Sequence, residues 1–465
     1  MGSRVGCRIG NGAGFLGDNL DAPRLLAERG ALDYLTLEYL SELTLSILAR
    51  VREKNPSGGY AGDLIEVLRS LLPTLREQPR LKLVTNAGGM NPRSCAIAAA
   101  STLLKAGLAE DRIGVVTGDD LATDLKRLQS LGCKFEHMDT GEPLDLTRYS
   151  VVSANAYLGA KPIADALAEG ARHVITGRVA DASLTLGPAM HEFGWSWTDW
   201  NKLAAATVAG HVIECGAQAT GGLYRHWEPL DLGHVGYPIA ELGPAGEVEI
   251  TKPEGTGGAV TRETVIEQLL YEIGDPAHYL TPDVDVDFTT LDVRQTGKDR
   301  VSIETASGRP APSHYKVSLA HRAGYTASGQ LLVCGRDCRS KARACGAMIL
   351  ARLKTAGFEF DDSLIECLGA GESAPGFAPQ GDVREVMLRV SVRDRRREAV
   401  ERFTKEIAPL ITSGPPGLAG YASGRSSVRP VFAYGPTLVP KELVQPAVEV
   451  RSASQWATAV TSASI

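Results

Sequence analysis

Up to residue 176, short and continuously apolar segments alternate with longer ones in which apolar residues recur at helical spacing. RVGCRI (4–9), DYLTLE (33–38), LKLVT (81–85), RIGVVT (112–117), YSVVSA (149–154) and HVIT (173–176) predict strands. The segments between them predict helices over about 21–30, 40–53, 62–77, 93–107, 121–131 and 161–170. Strands that are apolar on both faces, alternating with amphipathic helices, predict an α/β fold: a parallel sheet with helices on both faces. In open sheets of this kind ligands bind beyond the carboxyl ends of the strands. Each of the six predicted strand ends carries a polar or glycine-bearing turn. The candidates there are Asn11, Gly12 and Asp18; Glu38; Asn86, Gly88, Gly89 and Asn91; Asp119 and Asp120; Asn155 and Tyr157; and Arg178, Asp181 and Ser183.

The pattern changes after a helical stretch at about 197–215 and a loop ending in Gly221-Gly222. Residues 225–335 alternate at period two between Gly and Pro turns, with one clear helix at 261–273. A helix at 339–356, strands at 363–369 and 385–392, a helix at 395–411 and strands near 428–434 and 445–450 follow. This order predicts a smaller α+β domain with a mainly antiparallel sheet. The expected domains are 1–230, bearing the strand-end cleft, and 231–465. No internal repeat or low-complexity tract interrupts them.

Composition narrows the function classes. A net charge of -6 argues against non-specific nucleic-acid binding. No apolar run reaches the ~18–20 residues of a membrane span. The start, MGSRVGCRIGNG, lacks a signal-peptide core, so a cytoplasmic protein is expected. Eight scattered Cys then read as reduced thiols.

The turns differ in how much chemistry they promise. Gly10-Asn11-Gly12-Ala13-Gly14 joins a strand to a helix, where backbone N–H groups can hold an anion. Its spacing is not that of a dinucleotide fingerprint, and a tight packed turn is the plain alternative. Asn91 and Pro92 have the form of a helix cap, which leaves Asn86, Gly88 and Gly89 either for a ligand passing close to this backbone or for a plain packed turn. Asp119-Asp120 fits either a divalent cation or a helix cap. No HxH, HExxH or paired CxxC accompanies it, and no metal site is assigned. Arg178, Asp181 and Ser183 form the strongest set: Arg suits a carboxylate or phosphate, and Asp181 suits a general base or an ion pair with Arg178. His211, Glu214 and Cys215 share a helix face. There His211 can activate Cys215 as a nucleophile, the alternative being a buried structural thiol.

RIGNGAGFLGD, LDYLTLEYLSE, TNAGGMNPR, GDD, ANAYLGA, ITGRVADASLTLGP, GHVIECGAQATGG, GYPIAEL and TSGPPGLAGY together resemble the acyclic terpene utilisation protein A family. The likeness runs to about residue 450, with the motifs in the family's order. It implies a place in acyl-CoA or branched-acid catabolism, and it transfers no catalytic residue. In some members a small ferredoxin-like domain follows this region; the resemblance implies that here it is missing or is a separate partner subunit.

The resulting expectation is a hydratase or related lyase acting on an unsaturated or branched acyl-CoA thioester. Coenzyme A enters as part of the substrate, and no other cofactor is expected. Asp181 or Glu38 would serve as acid/base, Gly88-Gly89 N–H groups would hold the thioester oxygen, and Arg178 would hold a carboxylate or phosphate. Asn11, Gly12, Asn86, Asn155, Tyr157 and Ser183 would line the substrate. The alternatives are a transferase using Cys215 with His211, and a non-catalytic ligand-binding subunit of a larger complex. A homo-oligomer is expected from size and metabolic class.

Overall fold

A computed structural model describes residues 6–144, 146, 150–377, 381–420 and 424–459. The fold is mixed α/β, and the chain divides into two compact units. The first comprises residues 1–146, 151–320 and 434–465, the second 147–150 and 321–433.

The first unit is built on a ten-stranded sheet. Its centre is parallel: β1 (Cys7–Asn11), β2 (Tyr34–Leu37), β3 (Lys82–Thr85), β6 (His173–Thr176) and β4 (Arg112–Thr117), in that spatial order. The strand between these in sequence, β5 (Val151–Ala156), is the exception to six consecutive strand ends. It pairs instead with the long strand His314–Cys334, and β6 lies between β3 and β4. On the far side of β1 the sheet continues antiparallel through β7 (Ile239–Leu242) and β8 (Val248–Thr251). Strand Ala447–Ser452 closes the other edge against β4. These additions explain why the contact boundary differs from a single cut near 230. Segments on both sides of the second unit share one sheet with the amino-terminal strands.

The helices α1 (Ala22–Arg29), α2 (Glu42–Lys54), α3 (Asp63–Glu77), α4 (Pro92–Lys105), α5 (Leu125–Ser130) and α6 (Lys161–Ala168) fall where the apolar spacing places them, with shifted ends. Asn91 caps α4 by accepting from the Ser94 N–H. Successive strand residues enter different apolar clusters. Tyr34 and Val84 join Leu186 and Val208, whereas Leu35 and Leu83 join Leu68 and Ala96. This is the period-two division that produces continuously apolar strands.

One helix escapes the sequence pattern. α7 (Ser183–Phe193) contains Gly187 and Pro188, which read as breakers. Gly187 is required by packing: a Cβ there would meet Ile163 Cγ2 at 2.6 Å. α8 (Trp200–Ile213) follows and is buried on nearly all sides, as its Ala-rich composition allows. The next helix, α9 (Arg262–Leu270), opens with a Thr261 capping box.

The second unit packs a long helix, Cys338–Thr355, on an antiparallel sheet. Strand Glu385–Asp394 lies in that sheet between Asp362–Leu368 and the distal part of His314–Cys334. Leu331, Val333, Ile349, Leu388 and Phe403 form its core. The expected helix over 395–411 is two pieces, Arg397–Phe403 and Leu410–Ser413. Tyr421, which ends the TSGPPGLAGY motif, lies outside the described residues. Among the described residues no helix is long and apolar enough to cross a membrane.

Candidate functional site

The turns after β2 and β6, the end of α8 and the end of α9 line one cavity of about 440 Å³ in the first unit. Arg178 organises it. Its backbone N–H donates to Asp119 at 2.8 Å, and Asp119 also accepts from Asn155 Nδ2 at 2.8 Å. Its guanidinium donates to the Leu40 carbonyl at 2.6 Å. The same group lies 2.8 Å from Asp181 Oδ1, 3.8 Å from Glu38 Oε1, and 4.0 Å above the Tyr157 ring. A guanidinium stays charged in any such setting. Here its Nη atoms already face the Leu40 carbonyl and Asp181, while its Nε is buried without a hydrogen-bond partner among the described residues. Arg178 thus lies against two carboxyl groups at the cavity.

Those carboxyl groups are set apart by their surroundings. Glu38 is buried, and its Oε1 accepts from the Leu40 N–H at 2.9 Å and from Asn86 Nδ2. Its Oε2 has no hydrogen-bond partner among the described residues. Burial, then the neighbouring Asp181 charge, push Glu38 up to about 8 against the pull of Arg178. Asp181 keeps about a third of its side chain exposed (32%). It too is raised, by burial, with Arg178 opposing. Glu42 stands in contrast. Burial raises it, but the Tyr157 hydroxyl, Lys316 and Arg178 outweigh that and hold it down to about 2. The cavity thus combines a carboxyl pushed towards its protonated form with a carboxylate held towards its charged form.

The sequence places these groups by ordinary means. Ser41 caps α2 by accepting from the Thr44 N–H, which fixes Glu38, Leu40, Ser41 and Glu42 between strand end and helix start. At the other wall, Asn11 Nδ2 donates to the Ala13, Ile213 and Glu214 carbonyls at 3.0, 2.9 and 2.7 Å. Its Oδ1 accepts from Thr36 Oγ1 at 3.0 Å. Asn11 is therefore a latch that brings Glu214 and Cys215 to the cavity. A Cβ on Gly14 would meet the Cys215 carbonyl carbon at 2.7 Å, so this glycine serves the same close approach. The Gly14 N–H goes to Asp18 Oδ2 at 2.8 Å rather than to a ligand.

Cys215 lines the cavity, but burial and then the Glu214 charge raise its thiol, the opposite of thiolate activation. His211 is buried, with Nε2 3.1 Å from the Gln268 carbonyl and Nδ1 3.4 Å from Glu214. Burial lowers its pKa. Its ring nitrogens therefore face partners other than Cys215, and the pairing needed for a Cys nucleophile is absent among the described residues.

The remaining expected residues stand outside the lining. Asn86 supports Glu38 and accepts from the Tyr39 N–H at 2.8 Å. The Gly89 N–H donates to the Asn86 carbonyl at 3.1 Å. A Cβ on Gly88 would meet the Thr176 carbonyl oxygen at 2.4 Å. That turn is packing, and the expected oxyanion donors are not at the cavity. Gly12 packs on Pro23, and Ser183 donates to Asp283 at 3.2 Å. Asn155 supports Asp119. Asp120 pairs with Arg52 at 2.9 Å and accepts from the Ala122 N–H. Neither Asp119 nor Asp120 belongs to a metal-ligand cluster among the described residues.

Residues beyond the reach of the sequence reading complete the wall. Lys316 comes from His314–Cys334, with Nζ 3.2 Å from Glu42 Oε1 and 4.7 Å above Tyr157. Tyr271 and Glu272 follow α9, and Glu272 has φ +58, an uncommon conformation away from glycine. Glu42 lay within a legible motif and its signal was the Ser41 cap beside it. Lys316 gave no local signal.

A family model described as "Acyclic terpene utilisation family protein AtuA" matches residues 7–450. No curated protein and no solved structure matches the chain. The match contains every residue of the cavity wall and implies a role in acyclic terpene utilisation. The chain belongs to the acyclic terpene utilisation AtuA family.

Proposed function

We propose that the first unit is a hydratase or related lyase acting on an unsaturated or branched acyl-CoA thioester. Support comes chiefly from one arrangement: Glu38 and Asp181 sit on a single buried guanidinium, and Glu38 is pushed up to about 8. Adding water across a conjugated double bond requires a base and an acid on one substrate. In this reading Asp181 takes a proton from water as its oxygen bonds to the β-carbon. Glu38 delivers its proton to the α-carbon. Lys316 meets the thioester oxygen, where negative charge develops, since one Glu42 contact leaves its ammonium other hydrogens. The volume lies within the range of small-molecule sites, and Phe15, Leu40 and Tyr271 supply apolar surface for a branched acyl group.

The test is incubation of purified protein with a panel of straight and branched 2-enoyl-CoA esters, followed by mass spectrometry. The expected product carries one added water. A panel that binds but stays unchanged would leave a ligand-binding subunit as the better reading.

A further inference from the structure

The second unit contains a cavity of about 420 Å³ between strand His314–Cys334 and segment 424–429. Ala327 and Ile407, both buried, form its apolar floor. Gly329 permits the close approach that shapes it: a Cβ there would meet Ile407 Cγ1 at 2.5 Å and Ser426 Oγ at 3.2 Å. Arg425 and Arg429 line the cavity, and among the described residues no Asp or Glu does.

This charge lacks the carboxylate partners that most other arginines of the unit have. Arg389 pairs with Glu366, Arg396 with Asp394, and Arg352 and Arg402 with Glu406. Among the described residues Arg425 and Arg429 have no such partner, and the side chains of Ser426, Ser427 and Gln330 have none for hydrogen bonding. Residues 321–433 hold 17 Lys and Arg against 12 Asp and Glu, in a chain whose net charge is -6. Two guanidinium forks in one concavity repel each other unless an anion lies between them. A phosphate group matches forks and hydroxyls together, because it accepts more hydrogen bonds than a carboxylate. The volume and the apolar floor exceed what bare phosphate needs.

We propose that this cavity binds a small organic phosphate, with Arg425 and Arg429 on the phosphate and the Ala327–Ile407 floor against the organic part. The inference is independent of the chemistry proposed for the first unit.

Titration calorimetry of the full chain tests it, with adenosine 3′,5′-bisphosphate as an organic phosphate lacking an acyl thioester and inorganic phosphate as the bare anion. The bisphosphate is expected to bind more tightly than inorganic phosphate and to weaken as salt rises. The double variant Arg425→Gln, Arg429→Gln is expected to lose at least about tenfold in affinity at an unchanged melting temperature. Arg425→Lys keeps the charge without the fork and should lose less. Asp181→Asn, which disables the first-unit chemistry, should bind as wild type. Equal affinity for the two probes would overturn the organic-phosphate assignment. Undiminished binding by the double variant, or no binding by wild type, would overturn the site.

Discussion

The turns after β3 and β6 look alike in sequence and do different work. Each follows a buried strand of the parallel sheet, and each carries glycine and polar side chains. After β3, the Asn86 amide, the Gly89 N–H and the Asn91 side chain are consumed by Tyr39, Glu38, the turn itself and the α4 cap. After β6, Arg178 carries charge to the edge of a cavity, and Asp181 keeps part of its carboxylate exposed. A polar strand-end turn becomes a site only where its polar atoms are left over after the fold has used its share. The β3 turn spends everything on structure.

Four variants test that contrast. Arg178→Met should have the largest effect, because it strands Glu38 and Asp181 without their shared cation. A loss of about 3–5 kcal/mol is expected, as for one partner removed from a buried ion pair, read by denaturant unfolding. A loss below about 1 kcal/mol would mean that Arg178 is not the organiser.

Glu38→Gln should cost activity about a hundredfold or more, as for loss of a general acid, measured as kcat on the best enoyl-CoA. Its stability should also change with pH. Glu38 rises from 4.5 in the unfolded chain to about 8 in the folded one, so the folded state binds the extra proton between those values. Its contribution is fully present below pH 4.5 and is lost as pH rises towards 8. Glu38→Gln should flatten that fall, and an unchanged slope in melting temperature against pH would contradict the assignment.

At the β3 turn the expected damage is to folding. Gly89→Ala meets φ +50 and Leu48 Cδ1 at 2.5 Å, for a cost of about 1–3 kcal/mol with kcat of the folded fraction retained. A selective loss of kcat would return this turn to the site. Cys215→Ala should have the smallest effect, within about threefold of wild type, or about 0.7 kcal/mol in barrier. A loss of orders of magnitude would restore the nucleophile.

Legibility followed the range of the interactions. The strand–helix alternation exposed the parallel strands because burial on both faces leaves a local pattern. It placed Glu38, Tyr157, Arg178 and Asp181 at strand ends, and all four line the cavity. Pairing order was hidden: nothing local in VVSANA says that β5 leaves the sheet for His314–Cys334. The same crossing brings Lys316 to Glu42 over 274 residues, which no spacing rule could supply. Asn11 was legible as a polar strand-end residue, but its latching of the α8 end was not, because two of its partners are carbonyls over 200 positions away. α7 was missed because Gly187 and Pro188 suit its packing and not the propensity of a free helix.

The central claim is that Glu38 and Asp181 move protons to and from one substrate. Incubation with a branched 2-enoyl-CoA in deuterated water tests it most directly, with mass spectrometric and NMR location of the label. Wild type should give the hydrated thioester with deuterium at the α-carbon. Glu38→Gln and Asp181→Asn, folded by circular dichroism, should give almost none. Hydration at the wild-type rate in both variants would contradict the account.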